Sequence, residues 1–249
     1  MNNSPKISLI TACYNSEKTI AKTINSIIIQ DYSNVEHIVI DGASADSTIS
    51  ILNKYKNNIS KIISEKDNGI YDALNKGIHL ATGDIIGFLH ADDFYPQKNI
   101  ITNVIKSFMS DSNLDIVLGD VAFINKHGKI SRYYSGENFN FDIGIMPPHP
   151  SAFIKKKCYE KFGLFNTNYK IAADYDLLFR LLKMNNIKYT YSKDIVVYMK
   201  PGGKSNKNFL STINLNKEIY KIHKSYNSPI GILNLLQKIP IRIKEMFSK

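Results

Sequence analysis

83-GDIIGFLHADDFYP-96 is an apolar run that stops at two adjacent carboxylates, Asp92 and Asp93, just before an aromatic pair and a proline. Aspartate is depleted in strands, and neighbouring like charges repel. A run that reads as the middle of a sheet therefore ends here for a reason outside strand chemistry. The flanking sequence supplies that reason. Residues 6–12 read as a buried strand, 35-VEHIVID-41 as a second, 61-KIISE-65 as a short third and 84-DIIGFLH-90 as a fourth. Helical spacing fills the gaps: 16–30 with Ser16 as N-cap and Ile20, Ile24, Ile27 and Ile28 on one face, 46–57 with Ile49, Leu52 and Tyr55 inward, and 67–83 between glycines. Strands alternating with such helices make a parallel α/β sheet with right-handed crossovers, and ligands bind beyond the carboxyl ends of its strands. Asp41, Asp67 and the Asp92-Asp93 pair all fall there. The strand ends in carboxylates because a ligand comes next.

The second half reads as mixed. Strands are expected at 115–124 and 129–134, a proline loop at 144-GIMPPHPSAFI-154, a helix over 172–185, strand material at 188–200, a loop at 201-PGGKSN-206 and a helix near 207–225. The expected division is 1–206 (1–114 and 115–206 as its halves) followed by a basic amphipathic tail, 207–249.

With 249 residues, 43% of them hydrophobic, the chain can bury a substantial core. No stretch approaches the roughly 20 apolar residues of a membrane-spanning helix. The opening MNNSPKISLITACYN lacks a charged leader followed by a long apolar segment, so no signal peptide is expected. Cys13 and Cys158 sit in apolar surroundings without metal-like spacing and read as free buried thiols. The net charge of +10 is unevenly placed: residues 200–249 hold ten Lys or Arg against two acidic residues, and the first 199 hold 22 against 20. A near-neutral body with a basic tail argues against a general nucleic-acid binder and for a localised anionic partner. In 228-SPIGILNLLQKIPIRIKEMFSK-249, Ile232, Leu235, Leu236 and Ile239 form one apolar stripe, Pro240 bends it, and Ile241, Ile243, Met246 and Phe247 continue it between cations. That pattern suits a helix lying on an anionic bilayer; packing on the catalytic domain or on a second copy of the chain, as a homodimer, is the alternative.

The chemistry-bearing residues are read against bland alternatives. Two carboxylates at a strand end can hold a divalent cation that bridges phosphate oxygens, although Asp-Asp before an aromatic also serves as a turn or helix cap. Asp41 sits in 41-DGASADST-48, where the alternative to ligand binding is an Asx turn opening the next helix at Asp46, a role that can coexist with binding. No G-x-G-x-x-G follows the first strand and no G-x-x-x-x-G-K-[ST] occurs, which disfavours a dehydrogenase-type dinucleotide site and a P-loop. In 172-AADYDLLFRLLK-183, Asp174 shares a helix face with Leu177, Leu178 and Leu181, whereas Asp176 shares one with Phe179, Arg180 and Lys183. Asp176 is therefore expected in a surface i,i+4 pair with Arg180, and Asp174 is expected to point inward from the first turn, towards a cleft, kept ionised by the helix dipole.

Taken together, 9-LITACYNSEKTI-20, 39-VIDGASADST-48, 67-DNGIYDALNKGI-78, 82-TGDIIGFLHADD-93 and 172-AADYDLLFRLL-182 resemble the inverting, nucleotide-sugar-dependent glycosyltransferases of family 2, in order and spacing over roughly 5–205. The resemblance implies a GT-A fold: a mixed, Rossmann-like sheet flanked by helices. It implies hexosyl transfer from a UDP-sugar to a saccharide hydroxyl with inversion, helped by Mn2+ or Mg2+. It places Thr11, Tyr14 and Asn15 at the nucleotide pocket, Asp41 on the base, and Asp67 and Asn75 beside the nucleotide. Asp92 and Asp93 become the metal motif, with Asp93 the direct ligand, and Asp174 the catalytic base. His149 and Ser151 fall on the acceptor side, and Gly202, Gly203 and Lys204 on a loop over the diphosphate. Two positions depart from the family pattern: His90 stands where many relatives carry a third acidic residue, and is read as a ribose or backbone contact or a metal ligand. Ala173 stands where Glu usually precedes the base. Bacterial enzymes of this resemblance extend saccharides on polyprenyl-diphosphate carriers at the inner face of the cytoplasmic membrane, making surface polysaccharides such as O-antigen, lipopolysaccharide and capsule. The rival expectations are a non-catalytic saccharide- or nucleotide-binding module on the same scaffold and a nucleotidyltransferase.

Overall fold

The computed structural model describes residues 4–200, 209–228, 230, 231, 233–235, 237, 238 and 241. Four parallel strands carry the first half: β1 (Ile7–Cys13), β2 (Val35–Asp41), β3 (Lys61–Ser64) and β4 (Ile85–Phe88), in the order β3-β2-β1-β4. Their connections are α1 (Ile20–Ile28), α2 (Thr48–Lys54) and α3 (Ile70–Leu80). β1 is buried along its whole length because helices cover both faces, which is why it reads as a continuous apolar run.

Beyond β4 the sheet turns antiparallel. β7 (Ala152–Lys155) pairs β4 on one side and β5 (Ile116–Ile124) on the other. β6 (Ile130–Tyr134) takes the rest of that edge of β5, and β8 (Tyr189–Met199) runs parallel along the opposite edge. The result is one mixed eight-stranded sheet flanked by helices.

Several boundaries differ from expectation for local reasons. Ser16 is not the cap of α1; its carbonyl accepts from Thr19 and Ile20 in a preceding turn, and Thr19 holds the cap position. α3 starts three residues late because the Asp67 carboxylate accepts the Gly69 amide at 2.9 Å and Gly69 has φ +119°, open to glycine alone without strain. β4 stops at Phe88, two residues before His90. The expected proline loop is instead a buried crossing that enters β7. α4 (Ile100–Ser110) and α5 (Lys156–Phe162) were not expected.

α6 (Ala173–Leu178) continues in a wider π-helical winding over Phe179–Met184. It is covered by α7 (Phe209–Ser225), whose Ile219 and Ile222 join the same core as Leu74, Phe88, Ile154 and Leu177. Ile230 and Leu235 also enter that core, so Leu235 of the expected tail stripe faces the domain, while Leu233 is exposed. Most of 228–249, including Ile232, Leu236, Ile239 and Pro240, lies outside the described residues, as do Gly202, Gly203 and Lys204. No helix among the described residues is long and apolar enough to cross a membrane. Cys13 and Cys158 are free and buried.

Candidate active site

Parallel pairing brings the carboxyl ends of β1, β2 and β4 to one rim of the sheet, with Cys13 opposite Asp41. The loop after β4 turns at once: the Asp93 amide donates to the His90 carbonyl (3.0 Å), and the Thr23 hydroxyl of α1 donates to the Asp93 carbonyl (2.7 Å). These bonds fix the two aspartates differently. Asp92 is exposed, whereas Asp93 is 1% exposed and neither of its oxygens has a hydrogen-bond partner among the described residues. A buried carboxylate without partners carries a large desolvation cost. Burial, and secondarily the charge of Asp92, pushes the Asp93 carboxyl well above the usual range. Such an acceptor-only group is satisfied by a cation. Among the described residues no three His, Cys, Asp or Glu side chains stand together as a metal cage. Two carboxylates fit a hard cation that takes its remaining ligands from water and substrate phosphate.

A row of rings runs from this corner to Asp174. The His90 and His149 ring centroids are 6.5 Å apart, His149 lies 5.2 Å from Phe165, and Phe165 stacks on Tyr71 at 5.6 Å. The Tyr71 hydroxyl, on the first turn of α3, lies 2.7 Å from the Ile171 carbonyl and 3.1 Å from Asp174 Oδ1, so its one proton faces two acceptors. Asp174 Oδ1 also accepts the Tyr175 amide at 2.8 Å. Asp174 is half-buried in the first turn of α6 and is drawn inward. Burial outweighs the Tyr175 and Tyr71 donors and raises the carboxyl to about 6. A carboxylate with that affinity for protons is ionised at neutral pH and is a better base than an ordinary aspartate.

Tyr14 and Asn15 follow the carboxyl end of β1. Tyr14 is 63% exposed, and Asn15, at φ +48°, accepts the Ala45 amide through its side chain (2.9 Å) and donates its own amide to Ser44 Oγ (2.8 Å). A side-chain carbon on Gly42 would stand 2.6 Å from Asp67 Oδ2 and 3.4 Å from the Tyr14 ring, so glycine here lets Tyr14 and Asp67 approach one another. Asp46 closes the loop as expected, accepting from Thr48 and from the Glu17 amide.

Several expected pocket residues do other work. Thr11 is fully buried, its hydroxyl 3.1 Å from His37 Nε2 inside the layer beside the sheet, because strand alternation turns it away from the rim. Asp41 is also fully buried; its oxygens accept from the Ser44 amide and hydroxyl and from Ser64 Oγ, so it anchors the 42–46 segment rather than facing the rim. The Asn75 amide pairs twice with the Phe165 backbone, at 2.9 and 3.0 Å, bracing α3 against the segment before α6. Ser151 is buried and donates to the Gly119 carbonyl (2.6 Å), and His149 is packed between Phe88 and Phe165 with its pKa lowered by burial to about 3. The loop thus has no polar tip, although His149 Nε2 has no partner among the described residues. His90 Nδ1 is likewise buried and unpartnered among them. Asp176 is not on the surface: it is 1% exposed, bonded to Arg180 (3.1 Å) and to the Tyr226 hydroxyl (3.1 Å), because α7 covers the face that a two-sided helix would turn to water.

Tyr71 and Glu218 were missed by sequence reasoning. Tyr71 carried a signal, since it lies on the inward face of α3 with Leu74 and Ile78, where a buried hydroxyl needs a partner. Glu218 carried none; it is a polar residue on a lysine-rich helix 44 positions beyond Asp174.

The Glycosyl transferase family 2 profile matches residues 8–176, and the chain belongs to that family. It is a glycosyltransferase. It is 28% identical over 207 residues to a Mycobacterium bovis protein named PGL/p-HBAD biosynthesis glycosyltransferase, covering 82% of this chain and 80% of that one. The GT-A fold is shared with the Pyrobaculum calidifontis mannosyltransferase solved with GDP-Man and Mn2+ (TM-score 0.67, 18% identity, 99% of this chain and 70% of that one). It is shared too with S. aureus TarS 1-349 solved with UDP (TM-score 0.64, 18% identity, 97% and 83%). Of the longer TarS chain this protein spans 44%.

Proposed function

We propose that the protein transfers a sugar from a UDP-sugar to a hydroxyl of a saccharide acceptor in one inverting displacement. The observation that supports this most strongly is Asp93, a buried carboxylate with neither oxygen partnered among the described residues, at the strand end where a cation and a diphosphate would meet. Asp93, with Asp92 beside it, would hold Mn2+ or Mg2+; when bound, the cation neutralises charge developing on the departing nucleoside diphosphate. Tyr14 and Asp67 border the nucleotide, with Asp41 holding the 42–46 segment in place. Asp174 accepts the proton of the acceptor hydroxyl as its oxygen attacks the anomeric carbon, and the Tyr71 hydroxyl orients the carboxylate. An α-linked donor gives a β-linked product.

The test is a melting scan with UDP, GDP, CDP and dTDP, each with Mn2+ or with EDTA. UDP with Mn2+ at about 100 times its Kd is expected to stabilise by about 2.7 kcal/mol, a rise of roughly 5–10 °C for a chain of this size. A larger shift from GDP, or a UDP shift indifferent to EDTA, rejects the donor assignment.

The basic C-terminal stretch supports a second part of the reading: with Ile230 and Leu235 in the core, the cations of residues 228–249 draw the protein to an anionic membrane surface, at the inner face of a bacterial cytoplasmic membrane, where a lipid-diphosphate-linked acceptor would be extended into a surface polysaccharide. Co-sedimentation is expected with vesicles containing anionic lipid and not with neutral ones, declining with salt. Binding that survives removal of 228–249 sinks this part alone.

A further inference from the structure

α6 begins without a cap of its own. Its cap position is Ala172, whose side chain can accept nothing, and Ala173 follows. The first amides of a helix need acceptors. Of the amides at this end only that of Ala172, at the cap position, is taken by Glu218, at mid-length of α7, which otherwise holds the segment leading into the helix: Oε2 accepts the amides of Ile171 (2.9 Å) and Ala172 (2.8 Å), and Oε1 accepts that of Lys170 (3.0 Å). The carbonyl of Ile171 in turn lies 2.7 Å from the Tyr71 hydroxyl that faces Asp174. One carboxylate therefore fixes the peptide whose carbonyl fixes the tyrosine that orients the proposed base.

Two more side chains, His223 of α7 and Tyr226 just beyond its end, grip α6 directly. His223 Nε2 lies 2.8 Å from the Tyr175 hydroxyl, and the Tyr226 hydroxyl donates to Asp176. Tyr175 and Asp176 are the residues that follow Asp174. All three contacts come from beyond the segment that matches the family profile, which ends at 176.

We propose that Glu218 is a positioning residue for transfer: it clamps residues 170–172, the segment that leads into α6, and sets the orientation of Asp174 through Ile171 and Tyr71. The inference rests on Asp174 being the base. It makes α7 a working part of the site, and it gives a physical reason why this chain tolerates alanine immediately before Asp174. The base's surroundings are held from outside the helix by a carboxylate on another one.

The test compares Glu218→Ala, Glu218→Gln and Tyr71→Phe, singly and with Tyr71→Phe combined with Glu218→Ala. Misplacing a reacting group by about 1 Å costs up to roughly 100-fold. Glu218→Ala is expected to lower kcat by about 10- to 100-fold while the donor KM and the UDP affinity stay within about twofold. Glu218→Gln, which keeps one acceptor oxygen, is expected to recover part of that loss. The double variant is expected to lose far less than the product of the two single losses, because both act along one line of contacts. A kcat loss under twofold in Glu218→Ala overturns the proposal. So does a parallel loss of UDP affinity, which marks general structural damage, and so does multiplicative behaviour of the pair. Should Glu218→Ala fail to fold, Glu218→Gln against Tyr71→Phe carries the same comparison. Full activity in an Asp174→Asn protein refutes the base itself; a crippled Asp174→Asn protein beside a fully active Glu218→Ala protein refutes only the positioning role.

Discussion

Asp174→Asn is expected to transfer sugar about 100 to 10,000 times more slowly than the unmodified protein, with the donor KM little changed, because a positioned general base contributes that much and does not bind the donor. Asparagine keeps an acceptor for the Tyr71 hydroxyl and the Tyr175 amide, so the geometry of α6 survives and only proton acceptance is lost. The unmodified protein should show the same group in its pH profile. The proposed base has to work as the carboxylate, and burial raises the Asp174 carboxyl to about 6, so the rate is expected to fall as pH drops below about 6. A profile flat to pH 5 contradicts the assignment. Stability carries the opposite sign. A folded-state pKa above the unfolded one favours the folded state in acid, and that contribution is lost as pH rises through about 6. At pH 8 the ionised, half-buried carboxylate therefore weakens the fold. Asp174→Asn is expected to melt a few degrees higher there, with the difference shrinking toward pH 4. A gain in melting temperature that grows in acid would show that the environment has been misread.

The second large effect belongs to Asp93. Losing the cation's help to a leaving diphosphate removes several kcal/mol of transition-state stabilisation, and each 1.36 kcal/mol is tenfold in rate, so Asp93→Asn is expected to be slower by about 1,000-fold. The metal-free variant should melt where the unmodified metal-free protein does. Burial, and secondarily the charge of Asp92, shifts the Asp93 carboxyl towards its protonated form, and asparagine mimics that form. Cation binding must displace the proton, so metal affinity of the unmodified protein should weaken as pH falls. A large loss of stability in metal-free Asp93→Asn would instead mark Asp93 as a structural residue with a buried partner.

The sequence carried the parallel half of the sheet because that half is local. Each of β1 to β4 is an apolar run whose neighbours in space are set by short helical crossovers, and the charged residues at their ends stand out against it. The mixed half depends on pairing between distant segments. β7 is four residues, Ala152–Lys155, wedged between β4 and β5, and nothing in AFIK announces two antiparallel partners. α4 differs: Ile100, Ile101, Val104, Ile105 and Phe108 repeat at helical spacing, so its signal is local and present in the sequence.

The site divides the same way. Asp93 and Asp174 stood out in the sequence from a strand end and a helix face; the structure buries Asp93 without a hydrogen-bond partner among the described residues and sets Asp174 beside the Tyr71 hydroxyl. Thr11 was misplaced because a strand-end position says nothing about which way the side chain turns. Asn75 was misplaced because Phe165, its partner, is 90 residues distant. Asp176 was read as a surface residue because amphipathic spacing assumes water on the far side, and α7 stands there instead. A resemblance can name the acids of a motif; which of their oxygens are free depends on Ser44, Ser64 and the other neighbours that only folding brings.

The most direct measurement is a calorimetric titration of UDP in Mn2+ into the unmodified protein, Asp93→Asn and Asp174→Asn. One site holding the diphosphate at Asp93 and the acceptor proton at Asp174 predicts that Asp93→Asn weakens UDP binding by tenfold or more, about 1.4 kcal/mol, while Asp174→Asn binds as the unmodified protein does. Unchanged UDP affinity in Asp93→Asn, or an equal loss in both variants, would contradict that division of labour.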